Sequence, residues 1–165
     1  MLDTVSYYVF QSEFWFRAPN LNNARFGHSS CALNDMIYVF GGVDNNFNHM
    51  ARIEILDAHE VVNGYTEWME IEVNGYLHPR ISCLMVPIND AEILIMGGDK
   101  GQEGGLNTVQ VLNTNMLEVQ QVYENEFEFK SCSNQYAITN EGEVTALVSD
   151  ISEEMLYMVQ FKHKI

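Results

Sequence analysis

The chain is poor in positive charge. Among its 165 residues, Lys and Arg together number 8 against 23 Asp and Glu, which gives a formal net charge of −15. Nucleic acids and anionic membrane surfaces are bound through cationic faces, so the composition argues against both as direct ligands. A basic protein partner fits this charge better, and a role of the acidic residues in solubility fits it equally well.

Cysteines and long apolar runs are also scarce. Cys31, Cys83 and Cys132 show no CxxC spacing, and an odd count without a pattern indicates reduced thiols in an intracellular compartment. We expect Cys31, in an apolar run, to be a small buried hydrophobe. No apolar run approaches the roughly 18 residues that a membrane helix needs, and the first eleven residues lack the basic region of a signal peptide. These absences predict an intracellular location, cytoplasmic or cytoskeletal.

Helical periodicity is almost absent, although the apolar share of 47% is sufficient for a real core. Short runs of β-branched, aromatic and aliphatic residues alternate with Asn, Asp and Gly, which is typical of an all-β protein. The predicted strands are 5–10, 14–17, 27–32, 36–40, 51–56, 67–73, 82–87, 92–96, 108–112, 117–122, 135–139, 144–148 and 155–161.

An internal repeat organises these strands. Each copy has an arginine, a strand, an Asn-Asp turn, a second strand and a glycine pair. The residues are, in order, Arg25, Asn34-Asp35 and Gly41-Gly42 in the first copy, and Arg80, Asn89-Asp90 and Gly97-Gly98 in the second. The arginines lie 55 positions apart (80 − 25), near the roughly 50-residue period of one propeller blade. A third, weaker copy places Asn140-Glu141-Gly142 at the turn.

These residues resemble the kelch repeat, whose blades form a β-propeller. The second copy has lost the histidine and lacks a tryptophan near Met116, and Trp15 occupies the tryptophan place of a preceding unit. The pattern is similar to that of the divergent kelch proteins of protists such as ciliates. The first copy matches through Arg25, His28, Ser29, Ile37, Tyr38, Val39, Gly41, Gly42 and Trp68, and the second through Arg80, Gly97 and Gly98.

The resemblance implies kelch-type blades in an incomplete ring, with two full and two partial blades. The units are 1–24, 25–79, 80–130 and 131–165, the first resembling the outer half of a blade and the last its inner half. Because propellers generally need at least four blades, the chain cannot close a ring alone. It is a piece of a longer or split propeller, an arc in a larger assembly, or one of two copies that share a blade; the first two are preferred.

The resemblance also implies a noncatalytic interaction or scaffold subunit that binds a protein partner through loops between strands and blades. The loops are 22–25, 44–50, 76–80 and 99–103. Arg25 and Arg80 could each fork onto a partner carboxylate, or bond carbonyls between blades; Phe47 and Tyr76 are apolar anchors on polar loops. The full set of partner-binding candidates is Arg25, Asn46, Phe47, His49, Tyr76, His78, Arg80 and Lys100.

Two other functions stay open: a structural subunit embedded as an open arc, and an enzyme. Some kelch-like propellers are copper oxidases or sialic-acid isomerases, but the Tyr, His and Cys ligands of copper do not converge in this pattern. We predict no catalytic residue, metal or cofactor, and a connector for the glycine-rich run 101–105. The residues expected to maintain the repeat are His28, Gly41, Gly42, Trp15, Trp68, Gly97 and Gly98.

Overall fold

The computed structural model of the chain describes residues 1–64, 66–101, 104–129, 131–138, 143–150 and 155–162. Thirteen strands and one short helix lie in these ranges. The predicted turn at 140–142 and positions 102–103 of the glycine-rich run lie outside them. Among the described residues no helix is long and apolar enough to cross a membrane. The strands are β1 Val5–Val9, β2 Phe14–Ala18, β3 Ser29–Leu33, β4 Met36–Phe40, β5 Ile53–Asp57, β6 Met69–Ile71, β7 Leu84–Asn89, β8 Glu92–Met96, β9 Leu106–Asn113, β10 Glu118–Phe129, β11 Ser131–Ile138, β12 Glu143–Asp150 and β13 Met155–Lys162.

Two complete four-stranded sheets confirm the prediction of two full blades. Blade 1 has the order β3-β4-β5-β6 and blade 2 the order β7-β8-β9-β10, each an antiparallel meander. The tight turn between β3 and β4 is made by Asn34 and Asp35 at φ of 50° and 61°, the left-handed conformation that short hairpin turns require. The repeat therefore marks the inner hairpin of each blade.

The side chains of each strand alternate between two blade-to-blade cores. Tyr38 and Phe40 of β4 pack against Ile93 and Ile95 of β8, so blade 1 buries one face directly on blade 2. The other face of blade 2 forms a second core with the closing sheet, where Val144 is buried. Cys31 packs against the first core, as its apolar strand predicts.

A third cluster joins blade 1 to the opening strands. Trp68, Val39 and Leu56 pack with Leu21, and the Trp68 indole N–H donates to the carbonyl of Pro19 at 2.9 Å. Trp68 therefore packs between blade 1 and the segment that follows the opening strands. Trp15 does not do so in this arc, because its side chain is 70% exposed on β2.

The two partial blades are unequal. The opening sheet holds only β1 and β2, whereas the closing sheet has the order β11-β12-β13. The described part of the closing unit thus has three strands, at the places of the three that the sequence predicts there. No strand that the structure describes joins β1 or β13 into a closed barrel.

One element was missed: helix α1, Ala58–Asn63, between β5 and β6. The Asp57 carboxylate caps its first turn by accepting from the backbone N–H groups of His59 and Glu60, and Gly64 ends it with φ of 74°. Six residues are too few to show a helical period, which explains why the sequence pattern did not reveal it.

Candidate partner-binding surface at the loop end

Three long connections gather at one end of blades 1 and 2. They are the β4–β5, β6–β7 and β8–β9 connections, which an antiparallel meander places at the same end of each blade. Backbone hydrogen bonds fix them across the blade boundary, since Gly42 N donates to Arg80 O at 2.8 Å and Arg80 N donates to Met50 O at 3.3 Å. We call this the loop end.

The β4–β5 connection is ordered around one carboxylate. Asp44 accepts from the backbone N–H groups of Asn46 and Asn48 at 2.8 and 2.9 Å, and from the Asn48 amide at 3.1 Å. These hydrogen bonds, first those from Asn48, hold the pKa of Asp44 below its usual value. Phe47 lies inside this turn with φ of 63° and a side chain that is 75% exposed. The turn therefore presents an aromatic ring to solvent from a fixed backbone.

The β6–β7 connection presents a second aromatic ring. Tyr76 is 68% exposed, and its ring stands edge-on to His78 with centroids 4.7 Å apart. Its backbone is held from blade 2, because the Gln110 amide donates to the Tyr76 carbonyl at 2.7 Å. Phe47 and Tyr76 are thus exposed on connections whose backbones are tied to the blades.

The β8–β9 connection touches the loop of blade 1. A methyl group added at Gly101 would lie 2.9 Å from Cε1 of His49, so the imidazole packs directly on this glycine. The His49 Nε2 atom is buried and, among the described residues, has no hydrogen-bond partner. Asn46 and Lys100 lie beside these contacts, on exposed or half-buried positions of the same two connections. Of the candidate residues, Asn46, Phe47 and His49 thus lie on the β4–β5 connection, Tyr76 and His78 on the β6–β7 connection and Lys100 on the β8–β9 connection.

Arg25 and Arg80 are the exceptions, and the structure corrects their proposed role. Their side chains are 2% and 0% exposed. Each guanidinium donates to acceptors of its own blade and to one carbonyl of the preceding unit, that of Asn23 at 3.2 Å for Arg25 and that of His78 at 3.1 Å for Arg80. Arg25 donates to the Gly41 carbonyl at 2.9 Å and to the Glu54 carboxylate. Arg80 donates to the Gly97 carbonyl at 2.9 Å and to the Gln110 amide oxygen. Neither can reach the carboxylate of a partner.

The two acceptors, Glu54 and Gln110, were missed by the sequence analysis. Both are buried, at 0% and 1% exposure, each in the middle of an apolar strand. A signal was present, because Ile53-Glu-Ile-Leu and Val109-Gln-Val-Leu recur 56 positions apart with one polar residue at the same place. Buried polar groups need partners, so each of these positions called for a donor such as the repeat arginine.

The glycine pairs are needed for close approach of the backbone. Gly41 has φ of 70°, and a methyl group there would lie 2.5 Å from the carbonyl oxygen of Arg80 in the next blade. Gly98 has φ of 95°, and a methyl group there would lie 2.6 Å from the Ile81 carbonyl within its own blade. His28, beside Gly42, is partly buried; burial first and the Arg25 charge second lower the pKa of its imidazole.

The two thiols whose surroundings the structure describes, Cys31 and Cys83, do not have the environment of reactive cysteines. Burial raises the pKa of Cys31 to about 12, and burial also raises that of Cys83, which lies inside the core. A thiolate is the reactive form of cysteine, so these groups are poor nucleophiles. No group of three or more His, Cys, Asp or Glu side chains in the described ranges is arranged to hold a metal ion.

Comparison with known proteins bears on the same segment. Residues 24–57, which hold the repeat arginine and strands β3 to β5, match the Kelch motif. Over 105 residues, 63% of the chain, the sequence is 29% identical to Kelch-like protein 36 of Bos taurus, and the match spans 17% of that relative's length. The chain therefore covers a small part of this relative. The chain thus contains a Kelch motif, is similar over part of its length to a kelch-like protein, and folds into antiparallel four-stranded sheets consistent with kelch propeller blades.

Proposed function

We propose that the chain is a noncatalytic interaction module that holds a protein partner at its loop end. Kelch repeats suggest a protein-interaction module in general. The observation that supports this site is the pair Phe47 and Tyr76, two exposed aromatic rings on connections tied to the blades. Aromatic residues on a preorganised backbone lose little entropy on binding and are frequent interface hot spots.

The partner is a protein, and its contacts with the loop end are made by Asn46, Phe47, His49, Tyr76, His78 and Lys100. The acidic chain, at −15, favours a basic partner. The role we assign is that of a scaffold subunit in a cytoplasmic or cytoskeletal complex, with blade units 25–79 and 80–130 as the binding body. Raised thiol pKa values at Cys31 and Cys83 support a noncatalytic reading.

The test is alanine substitution of both aromatic anchors with a matched control. Phe47→Ala and Tyr76→Ala should each weaken capture of the partner identified by native pull-down and mass spectrometry, while the melting temperature stays unchanged. Val62→Ala is the control, because Val62 is as exposed as Tyr76, at 68%, but lies on α1 at the opposite end. Equal binding by all three variants and the unchanged chain would refute the loop-end site.

A structural role in an assembly is the second candidate, and the opening sheet favours it. The β1–β2 sheet has two strands where blades 1 and 2 have four. We propose that a second chain completes this unit, which would leave the protein as an arc within a larger propeller. Substitutions at the edge of β1, rather than at Phe47 and Tyr76, would then abolish assembly.

A further inference from the structure

The connections that precede blades 1 and 2 are held by the same contact of the repeat arginine. Arg80 Nε donates to the carbonyl of His78 at 3.1 Å, and Arg25 Nε donates to the carbonyl of Asn23 at 3.2 Å. In both connections the acceptor lies two residues before the arginine. The two connections can therefore be compared residue by residue, counting backwards from their arginines.

The two connections differ in the direction of one peptide unit. In blade 2 the carbonyl of Tyr76, four residues before the arginine, accepts from the side-chain amide of Gln110 at 2.7 Å. The equivalent unit before blade 1 joins Leu21 to Asn22, and there the Asn22 N–H donates to Glu54 at 2.7 Å. Because the N–H and C=O groups of a trans peptide point in opposite directions, these two peptide units face their blades in opposite ways.

The side chain that precedes this peptide unit is buried in one connection and exposed in the other. Leu21 is 8% exposed and packs in the cluster that holds Trp68. Tyr76 is 68% exposed, and its ring stands edge-on to that of His78. The blade with a buried amide thus displays the side chain of its connection to solvent, whereas the blade with a buried carboxylate keeps the corresponding side chain in a core.

The rest of the connection around Tyr76 is fixed to the blades by other contacts. Before it, the backbone of Asn74 makes two hydrogen bonds of 2.7 Å with the backbone of blade 2. After it, Leu77 is buried in the core between blades 1 and 2, at 5% exposure. The Gln110 amide holds the peptide unit between Tyr76 and Leu77. The direction in which the Tyr76 side chain leaves the backbone therefore depends on this buried amide.

We propose that Gln110 is a positioning residue of the loop-end site. Its amide keeps the Tyr76 carbonyl turned toward the blade, and this keeps the ring exposed in one direction for the partner. An aromatic ring whose backbone is fixed before binding loses less conformational entropy when a partner covers it. The choice of Gln here and of Glu54 in blade 1 decides which connection displays an anchor. The inference rests on the proposed loop-end function and adds the buried residue that sets its geometry.

Gln110→Glu isolates this role, because it removes the donor to Tyr76 while a carboxylate oxygen still accepts from Arg80. Glu54→Gln is the matched control. It is the reverse exchange at the equivalent buried position, and the connection that it affects carries neither Phe47 nor Tyr76. Both exchanges disturb one buried hydrogen bond, so a difference between them in binding reports the position of the ring rather than the stability of the fold.

The first measurement follows the Tyr76 ring without a partner. The chain is labelled with 3-fluorotyrosine, and Tyr76→Phe identifies the fluorine resonance of this ring. Gln110→Glu should shift and narrow that resonance because the ring becomes more mobile, whereas Glu54→Gln should leave it unchanged. An unchanged resonance in Gln110→Glu, or the same change in both variants, would overturn the positioning role.

The second measurement is affinity for a peptide selected from a displayed random library on the unchanged chain and counter-selected against Phe47→Ala. Gln110→Glu should weaken its binding about two- to tenfold, the factor for ordering one side chain on association, and Glu54→Gln should not weaken it. In the Tyr76→Ala background Gln110→Glu should have no further effect on binding. These four chains form the double-mutant cycle for a residue that acts through Tyr76.

Failure of the positioning role and failure of the loop-end function give different results. A further loss of affinity from Gln110→Glu in the Tyr76→Ala background would overturn the positioning role alone, as would equal affinity of Gln110→Glu and the unchanged chain. Full binding by Tyr76→Ala, or failure to select any peptide that Phe47→Ala loses, would refute the loop-end site and the role of Gln110 with it.

Discussion

Blades 1 and 2 both bury an arginine, but the side chain that accepts its hydrogen bond is charged in blade 1 and neutral in blade 2. In blade 1 the buried Arg25 faces the Glu54 carboxylate, and in blade 2 the buried Arg80 faces the neutral Gln110. The connections that precede the two blades differ in the groups that they offer to this acceptor. Asn22 N and Asn23 N donate to Glu54 at 2.7 and 3.2 Å, whereas Gln110 itself donates to a carbonyl, that of Tyr76. The identity of this one residue, Glu or Gln, thus decides whether the connection that precedes the blade must offer it N–H or C=O groups.

The two arginines are buried beside different acceptors. Burial lowers the pKa of the Arg25 guanidinium, and the Glu54 charge opposes this effect. An ion pair removed from water must recover the desolvation of both charges through hydrogen bonds, which the two Asn N–H groups and the Asn23 amide supply to Glu54. Arg80 donates to the Gly97 carbonyl and to the Gln110 amide oxygen. In blade 1 the guanidinium therefore faces the carboxylate of a single buried side chain.

The largest expected effect comes from breaking the ion pair. Glu54→Ala leaves a buried uncompensated guanidinium and three unsatisfied donors, so it should lower the free energy of unfolding by about 3–5 kcal/mol. Gln110→Ala removes a neutral partner and should cost about 1.5–3 kcal/mol. Urea denaturation of both variants measures the difference; a larger loss from Gln110→Ala would contradict the electrostatic contrast.

Alanine at Gly41 and alanine at Gly98 should distinguish a backbone contact between blades from one within a single blade. Gly41→Ala forces a clash with the Arg80 carbonyl of blade 2 at positive φ, and should cost about 1–3 kcal/mol. Its hydrogen-exchange signature should appear in both blades, at Gly42 and Arg80. Gly98→Ala meets the Ile81 carbonyl and should disturb blade 2 alone. Identical exchange patterns for the two variants would refute this distinction.

Exchanging the two polar residues sharpens the comparison further. Glu54→Gln replaces the carboxylate by an amide, so the N–H groups of Asn22 and Asn23 face either an N–H₂ group or a weaker acceptor. Gln110→Glu places a carboxylate against the Tyr76 carbonyl. Each exchange should lower the free energy of unfolding by about 1–3 kcal/mol, because one buried donor or acceptor is left without a hydrogen-bond partner. Thermal unfolding checks both; a neutral result for either exchange would show that the entering loop adapts to the residue.

The smallest effect is expected from pH at His28, a position that blade 2 fills with Cys83. The folded pKa of His28 lies below its usual value of 6.5, so its contribution to stability is complete above pH 6.5 and is lost as pH falls through the folded pKa. His28→Asn should flatten the pH dependence of unfolding between pH 7 and 5 relative to the unchanged chain. Parallel profiles for the two proteins would contradict this sign. Cys83 should not contribute, since burial raises its pKa.

Most of the fold could be predicted, but less of the candidate site. Strands β4 and β8 have the predicted bounds, and the Asn34-Asp35 turn lies between β3 and β4 as expected. The second turn is made by Asp90 and Ala91, because Asn89 still pairs as the last residue of β7. The sequence left two roles open for the arginines, contact with a partner carboxylate or hydrogen bonds to carbonyls between blades. Their burial depended on Glu54 and Gln110, which lie 29 and 30 residues further along the chain. The exposure of Trp15 could not be predicted for a related reason, because it depends on what a neighbouring unit packs against β2 and not on the residues of β2 itself.

The sequence by itself determined the all-β class, the repeat and the positions of the inner hairpins, because alternation, Asn-Asp turns and glycine pairs act over a few neighbouring residues. The tertiary structure alone decided that the repeat arginines are internal, that Phe47 and Tyr76 are exposed on connections tied to the blades, and that a recess lined by Val5, Ile37 and Val39 flanks the opening hairpin. These properties arise where distant strands meet, and a buried charge or an uncovered strand edge exists only relative to what packs against it.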